Sequence, residues 1–308
     1  DAFREGVRVE APGRLHMGFL DMDGSLGRRF GSVGVGLEEI QTSIIVRPSK
    51  ELVVEGPDSQ RALEAALKLE KSLGRPLPAR ITVESCVPPH AGLGSGTQMA
   101  LATGAGLTRL HGIDVSPVDI AAHCGRGKRS GIGIAAFDEG GLIVDAGRNE
   151  KTRVPPVISR LPFPPSWRFL LILDPTHVGI HGEAEIAAFK ALPPFPEALA
   201  AKLCHTLLMQ GLPALLEEDL AVFGNVIQEL QATVGDHFAR AQGGRFTSPK
   251  VAEALHFIQH SGATGIGQSS WGPTGFALVD HPSRAEKLIE ALEKEGLMRS
   301  GLDIRMVT

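Results

Sequence analysis

Pro88-Pro89-His90-Ala91-Gly92-Leu93-Gly94-Ser95-Gly96-Thr97-Gln98-Met99-Ala100 is the stretch on which the fold of this chain turns. The run before it, Ala79 to Glu84, has β character, and the run after it, Thr97 to His111, is rich in Ala, Leu and small residues and reads as a helix. Strand, glycine-rich turn and helix N-terminus together leave several backbone N–H groups unpaired, and the helix dipole adds partial positive charge there. Gly92, Gly94 and Gly96 let the backbone approach a ligand without Cβ interference. The stretch is therefore a seat for phosphate or pyrophosphate, with the Ser95 and Thr97 hydroxyls able to touch phosphate oxygens or a bound cation. Its bland alternative is a tight connection. It is neither a Walker loop, since no Gly-Lys-Ser/Thr follows, nor a Gly-x-Gly-x-x-Gly dinucleotide fingerprint.

Outward from this loop, 308 residues leave room for about two domains and an ample core. Hydrophobic residues make up 43% and charged residues 21%, ordinary for a globular enzyme. A formal net charge of -4 gives no nucleic-acid footprint. Cys86, Cys124 and Cys204 are far apart, which suits a reducing cytosol and forms neither a zinc nor a disulfide pattern. No apolar run approaches the ~18 residues of a membrane span, and no secretory signal is visible. The chain starts at Asp1 rather than Met, as expected of a trimmed N-terminus.

Several other stretches carry chemistry. Val7 to Phe19 alternates and breaks at Pro12-Gly13, which predicts a strand, a turn and a second strand, with Arg14 and His16 either facing a cleft or serving as a surface Arg and a packed His. Asp21 to Gly36 is a glycine-dense loop. Its Asp21 and Asp23 suit Mg²⁺ or plain turn chemistry, and its Arg28 and Arg29 suit an anion clamp or solvent. Asp58 to Leu73 reads as an amphipathic helix, and Ser116-Pro117 as the N-cap and first position of another. Arg126, Lys128, Arg129 and Ser130 sit among glycines in a segment that suits a pyrophosphate, a substrate carboxylate, or merely a basic surface.

Prolines crowd the stretch from Thr152 to Ser166, which places a boundary between domains 1–160 and 161–308. After a strand at 167–173, His177, His181 and Glu183 invite a zinc reading, but Gly179 and Gly182 disfavour one helical face, so a cleft-lining loop is expected. Helices are expected at 199–212, 215–230 and 248–260, with Phe223, Ile227 and Leu230 as packing residues and Asn225, Gln228 and Gln231 facing solvent or a loop. Asp236-His237 and 242–246 read as polar loop. Gly265 to Val279, containing Gln268-Ser269-Ser270-Trp271, is a second Gly/Ser turn leading into a strand. A final helix at 282–295 and a strand at 303–307 complete an α+β fold with mixed and antiparallel sheets rather than a doubly wound one.

The proline pair, Gly92-Leu93-Gly94-Ser95 and the small-residue helix resemble the ATP loop of the GHMP kinase superfamily, usually Pro-x-x-x-Gly-Leu-Gly-Ser-Ser, with Gly96 replacing the second serine. Ala11-Pro12-Gly13-Arg14 resembles the first motif of that superfamily, and the 265–279 turn the third. The resemblance implies a two-domain GHMP-kinase-like fold with an interdomain cleft. In the kinases a Ser-Gly-x-Asp supplies the base for the attacking hydroxyl. Here Ser130-Gly131-Ile132 is followed by Gly133, which argues against ordinary hydroxyl phosphorylation.

One branch accommodates the departures. Gly13-Arg14-Leu15-His16, Arg29-Phe30-Gly31-Ser32-Val33-Gly34, the phosphate loop through Gln98, Arg129-Ser130-Gly131-Ile132-Gly133 and Gln268-Ser269-Ser270-Trp271-Gly272-Pro273 resemble the β-ribofuranosylaminobenzene 5′-phosphate synthases of methanopterin biosynthesis. That resemblance implies condensation of phosphoribosyl pyrophosphate (PRPP) with 4-aminobenzoate or 4-hydroxybenzoate, release of CO₂ and pyrophosphate, Mg²⁺ dependence, a cytoplasmic setting and a homodimer, without nucleic-acid or membrane partners. The roles expected with it are catalysis by Arg14, His16, Ser95 and Arg129. PRPP would be held by Gly92, Leu93, Gly94, Ser95, Gly96, Thr97, Gln98, Arg126, Lys128 and Ser130. The other substrate would meet Arg29, His177, His181, Gln268, Ser269, Ser270 and Trp271, and Mg²⁺ would meet Asp21, Asp23 and Glu183. The alternatives are an ATP-dependent GHMP small-molecule kinase using Asp21, Asp138 or Glu183 as substitute base, and a non-catalytic nucleotide-binding regulator.

Overall fold

The structure, a computed structural model, describes residues 6–178, 182–270 and 272–308. Its first sheet is organised by a long hairpin, β1 (Val7–Asp21) against β2 (Phe30–Arg47). Pro12-Gly13 does not end β1 as the sequence suggested. It sits at a register shift on a strand that, among the described residues, pairs only with β2, a position where the missing proline N–H costs no ladder bond. The glycine-dense loop likewise shrinks to 22–29, because residues from Phe30 onward join β2 and pair across to β1.

β3 (Val53–Glu55), helix α1 (Ser59–Leu73) and β4 (Arg80–Ser85) follow, β3 and β4 being parallel. Helix α2 (Ser95–Leu110) then runs behind the sheet, with α3 (Pro117–His123) capped by Ser116, whose Oγ accepts the Asp119 N–H as expected. The basic segment contains an unanticipated short helix, α4 (Ile132–Asp138), before β5 (Leu142–Asp145) and β6 (Val157–Leu161). The order is β3-β4-β2-β5-β6, with β1 also on β2.

The second sheet begins at β7 (Arg168–Leu173). Then come α5 (Gly182–Ala191), α6 (Glu197–Thr206), a π-helical turn (Leu207–Gly211), α7 (Leu212–Leu216), α8 (Leu220–Gln242) and α9 (Pro249–His260). β8 (Thr264–Gln268), β9 (Gly275–Val279), α10 (Pro282–Lys294) and β10 (Asp303–Val307) complete an antiparallel sheet of order β10-β7-β9-β8. α8 extends through Asp236-His237, which the sequence suggested as loop; Val234 and Phe238 continue its buried stripe of Phe223, Ile227 and Leu230. Glu197–Leu216 is apolar enough by length and composition to cross a membrane, which no run was expected to be; Leu203, Leu207 and Leu215 turn one side of it into the core, while Leu208, Met209 and Leu216 are exposed.

Period-two alternation divides the second sheet's faces. Leu170, Ile172, Ala277 and Val279 pack on α9 and α10, while Phe169, Leu171, Phe276 and Leu278 face the other way. That second face shares one cluster with Leu15, Met17, Phe19, Val33 and Val35 of the first sheet and with the stripe of α8. Side-chain amides sharpen the join. Gln231 donates to the Met17 carbonyl and accepts the Gln268 N–H at 3.0 Å, and Gln228 Oε1 accepts the Gly265 N–H at 2.8 Å. Gln228 and Gln231 therefore tie α8 to β8 and β1 rather than face solvent, whereas Asn225 is exposed as expected.

Candidate active site

The glycine-rich loop is built between the two sheets. Gly92 and Gly94 both take left-handed backbone, with φ of 82°, and α2 begins at Ser95 with its first amides directed at the turn. The Gly92 carbonyl is pinned twice, by Arg14 Nη1 at 2.7 Å and by Ser269 Oγ at 2.5 Å. Ser269 also accepts the His16 N–H at 3.0 Å, and the Ser270 N–H donates to the His16 carbonyl at 3.1 Å. The first motif, the loop and the 268–275 turn are thus one hydrogen-bonded unit.

Two adjoining cavities open over this unit. One, of about 190 Å³, is lined by the loop with Arg14, Arg61 and Arg126. The other, of about 260 Å³, is lined by His16, Phe19, Lys128, Arg129 and Ser130. Arg14, Thr97, Arg126, Glu185 and Ser270 belong to both. Five cations therefore face one carboxylate, Glu185, whose Oε1 lies 2.9 Å from Arg129. The cations are strained electrostatically. Burial pulls Arg14 down to about 10, against the pull of Glu185, and burial followed by the Arg61 charge lowers Arg126. An anion entering here relieves both costs.

Gly96 is explained by Arg126. A Cβ at Gly96 would lie 2.9 Å from both Nη1 and Nη2 of the guanidinium. Gly96→Ser, the residue usual in the superfamily, is expected to push Arg126 out of the loop and weaken anion binding roughly 10-fold, with little effect on the melting temperature because a flexible side-chain end can move. A binding titration with inorganic pyrophosphate checks this.

Gly133 lies second in α4, where a Cβ would meet Thr97 Cγ2 and Gln98 Nε2, each at 3.3 Å. Gln98 itself is fully buried and donates to the Gly133 carbonyl at 2.8 Å. It supports the loop from behind rather than lining the cavities, and Leu93 likewise points into the core while its carbonyl accepts the Arg14 N–H at 2.9 Å.

Several expected ligands lie elsewhere. Gln268 is buried against Thr247 and Gln242, a polar clasp outside the cavities. Arg29 donates to the Met22 carbonyl and stacks on Phe30, and it and His177 line neither cavity. Trp271 and His181 fall outside the described residues. The expected metal triad is not assembled. Asp21 Oδ1 caps the N–H groups of Asp23 and Gly24, Asp23 Oδ2 caps Ser25, and Glu183 is exposed. Among the described residues no three His, Cys, Asp or Glu side chains form a metal-binding group. Local turn chemistry uses the Asp21 and Asp23 oxygens instead.

The structure adds residues that sequence reading missed. Arg61, in the first turn of α1, reaches Ser95 Oγ at 2.8 Å and the His90 ring at 3.3 Å. Glu185 arrives because 182–191 is a helix, whereas the sequence suggested a cleft-lining loop. Glu185 and Phe189, four residues apart, hold Arg129 between an ion pair and a ring face 4.3 Å from the guanidinium carbon.

A glycine-rich anion seat at a helix N-terminus, shared between two sheets and bordered by three motif segments, defines a GHMP-kinase-type protein. The GHMP kinases N terminal domain matches residues 60–141 and the GHMP kinases C terminal domain residues 212–297. The Streptococcus pneumoniae phosphomevalonate kinase structure superposes with a TM-score of 0.70 over 98% of this chain and 99% of that one, at 12% identity. Sequence relatives are more specific. The beta-ribofuranosylphenol 5′-phosphate synthase of Archaeoglobus fulgidus is 36% identical over 290 residues, 89% of this chain and 88% of the relative. That of Methanothermobacter thermautotrophicus is 32% identical over 294 residues, 88% of each. The chain belongs to the GHMP kinase superfamily and, within it, to the family of the beta-ribofuranosylphenol 5′-phosphate synthases.

Proposed function

We propose that the chain is a decarboxylating phosphoribosyltransferase that joins PRPP to 4-hydroxybenzoate or 4-aminobenzoate and releases pyrophosphate and CO₂. The observation that carries the reading is the pairing of an intact anion seat with Gly133. The seat suits a departing pyrophosphate, and the position that would hold a hydroxyl-activating carboxylate is a glycine packed against Thr97 and Gln98. The substitute bases of a kinase do not fill the gap. Asp138 and Glu183 are exposed, Asp21 is a turn cap, and none of the three lines either cavity.

The chemistry needs no nucleophilic hydroxyl. As pyrophosphate leaves, the ribosyl C1′ gains oxocarbenium character, ring C1 of the aromatic acid attacks it, and loss of CO₂ restores the ring. The first amides of α2, with Arg14, Arg61 and Arg126, stabilise the charge that builds on the leaving group. Arg129 and Lys128 orient a carboxylate in the second cavity, whose Phe19 provides an apolar wall. Glu185 and the Ser95 and Thr97 hydroxyls suit Mg²⁺ as a minority shell completed by diphosphate and water, a common way to bind it. Bound Mg²⁺ would supply further neutralisation of the leaving group. The same reading carries a homodimer and a cytoplasmic setting as expectations.

CO₂ release from carboxyl-labelled 4-hydroxybenzoate and 4-aminobenzoate, with PRPP and Mg²⁺ and with each omitted in turn, tests the proposal. PRPP-dependent release is expected. ADP formation from ATP and an alcohol, with no CO₂ from either acid, overturns it.

A further inference from the structure

A buried line of side chains runs from the site into the first sheet. Asp145, at the end of β5, is 0% exposed. Its carboxylate accepts the N–H groups of Gly131 at 2.8 Å and Gly147 at 2.9 Å, and the Ser130 hydroxyl lies 3.4 Å away. Ser32 stands directly opposite Asp145 across the β2–β5 pairing, which places its hydroxyl beside the carboxylate. Ser32 Oγ is also 3.1 Å from His16 Nε2, and His16 Nδ1 is 2.6 Å from Ser270 Oγ. Ser270 borders both cavities.

Hydrogen-bond direction follows from the buried end. An ionised carboxylate only accepts, so the Ser32 hydroxyl opposite Asp145 can only turn its proton toward it. The Ser32 oxygen is then free to accept the Nε2–H of His16, and Nδ1 becomes an acceptor for the Ser270 hydroxyl. Ser270 thereby keeps its lone pairs for a donor in the cavity. Burial, then the Arg14 and Arg129 charges, hold His16 well below its ordinary range, so it is a poor place to store a proton. Burial raises Asp145, which makes the carboxylate the better terminus.

The two acids differ in what they ask of a site. The amine of 4-aminobenzoate already offers a lone pair to the ring, whereas a phenol activates its ring most as the phenolate. Resting on the synthase reading above, we propose that Ser270, His16, Ser32 and Asp145 form a proton relay that takes the phenolic proton of a para-hydroxylated aromatic acid during ring attack and returns it after CO₂ leaves.

In the first step the phenolic proton passes to Ser270 Oγ, the Ser270 proton to His16 Nδ1, the Nε2 proton to Ser32, and the Ser32 proton to Asp145. The phenolic O–H electron pair becomes a C=O, ring C1 bonds to C1′, and the C1′–O bond breaks with its electrons on pyrophosphate. In the second step the bond from ring C1 to the carboxylate breaks. Its electrons restore the aromatic ring as a phenolate, CO₂ departs, and the proton returns along the same line. Ser270 touches the substrate, while Ser32 and Asp145 are positioning residues that act through His16.

Single-turnover CO₂ release by the full chain with PRPP tests this, using 4-hydroxybenzoate, its 3,5-difluoro analogue and 4-aminobenzoate. At mildly alkaline pH the fluorinated phenol arrives ionised and has no proton to give, whereas 4-hydroxybenzoate still carries its phenolic proton. Asp145→Asn removes the terminal acceptor. Ser32→Ala interrupts the line while leaving the Gly131 and Gly147 bonds to Asp145 intact, so the test survives if the first variant fails to fold. Ser32→Ala is expected to slow the 4-hydroxybenzoate reaction roughly 100-fold and the difluoro reaction less than about 5-fold. Equal losses with all three acids, no loss with 4-hydroxybenzoate, or wild-type turnover of 4-aminobenzoate alone overturns the relay. CO₂ from none of the acids with the wild-type chain overturns the synthase reading and the relay with it.

Discussion

Arg14→Ala is expected to lower kcat/KM for PRPP by roughly 10²–10³-fold, the range seen when one charge-stabilising donor is removed from a preorganised site. Arg14 has two jobs. Its Nη1 holds the Gly92 carbonyl at 2.7 Å, and its stem runs beneath Gly94, where a Cβ would lie 3.2 Å from Arg14 Cγ. It also presents charge to both cavities, beside Glu185. Burial already lowers its affinity for a proton to about 10, so the site bears a cost that an entering anion offsets. Losing the guanidinium should therefore affect turnover more than folding. Arg14→Lys should recover part of the charge but not the fork that reaches the carbonyl and an anion together. The measurement is steady-state kinetics with PRPP varied, alongside thermal melting. Unchanged turnover in both Arg14→Ala and Ser95→Ala would show that the site lies elsewhere.

Gly92→Ala should unfold the protein more readily than any other single change in the loop. The backbone at Gly92 has φ of 82°, and a Cβ there would stand 2.6 Å from Gly272 Cα and 2.9 Å from Gly272 N. The obstacle is backbone on backbone, so no side-chain rotation relieves it. A left-handed conformation costs a residue with Cβ about 1–2 kcal/mol before any collision. Separating the loop from the 268–275 turn also disturbs the bonds that Ser269 makes to Gly92 and His16. A melting temperature lower by roughly 10 °C is expected, using a shift of about 2–4 °C per kcal/mol for a chain near this size. Calorimetry on the purified variant measures it. A melting temperature within about 2 °C of wild type would mean that this contact adds nothing to the join.

Much of this molecule was legible in its residues. The glycine-rich turn at 92–94, the helix after it, the Ser116 cap and the closing helix and strand follow from spacing and turn chemistry over a few residues. Gly133 stood out because the resemblance places an Asp at that offset. Arg61 was not, because an arginine in the first turn of an amphipathic helix looks like any solvated charge until the helix is packed beside Ser95. Glu185 was overlooked for a related reason: the glycines before it argued for loop, and only the helix 182–191 carries it to Arg129. For Asp21 and Asp23 the sequence left Mg²⁺ and turn chemistry open, because carboxylates suited to one are equally suited to the other, and folding shows them capping the backbone of their own turn.

Local sequence alone determined where the chain turns, where helices start and which loop can seat an anion, because those properties depend on backbone freedom and capping within a few residues. The tertiary structure decided which charges converge. Arg14 from β1, Arg61 from α1, Arg126 and Arg129 from the basic segment and Glu185 from the second half meet only once the two sheets share a core. The line from Ser270 to Asp145 joins residues up to 254 positions apart, and its hydrogen bonds exist only because strand pairing sets Ser32 opposite Asp145 and the turn after β8 against β1.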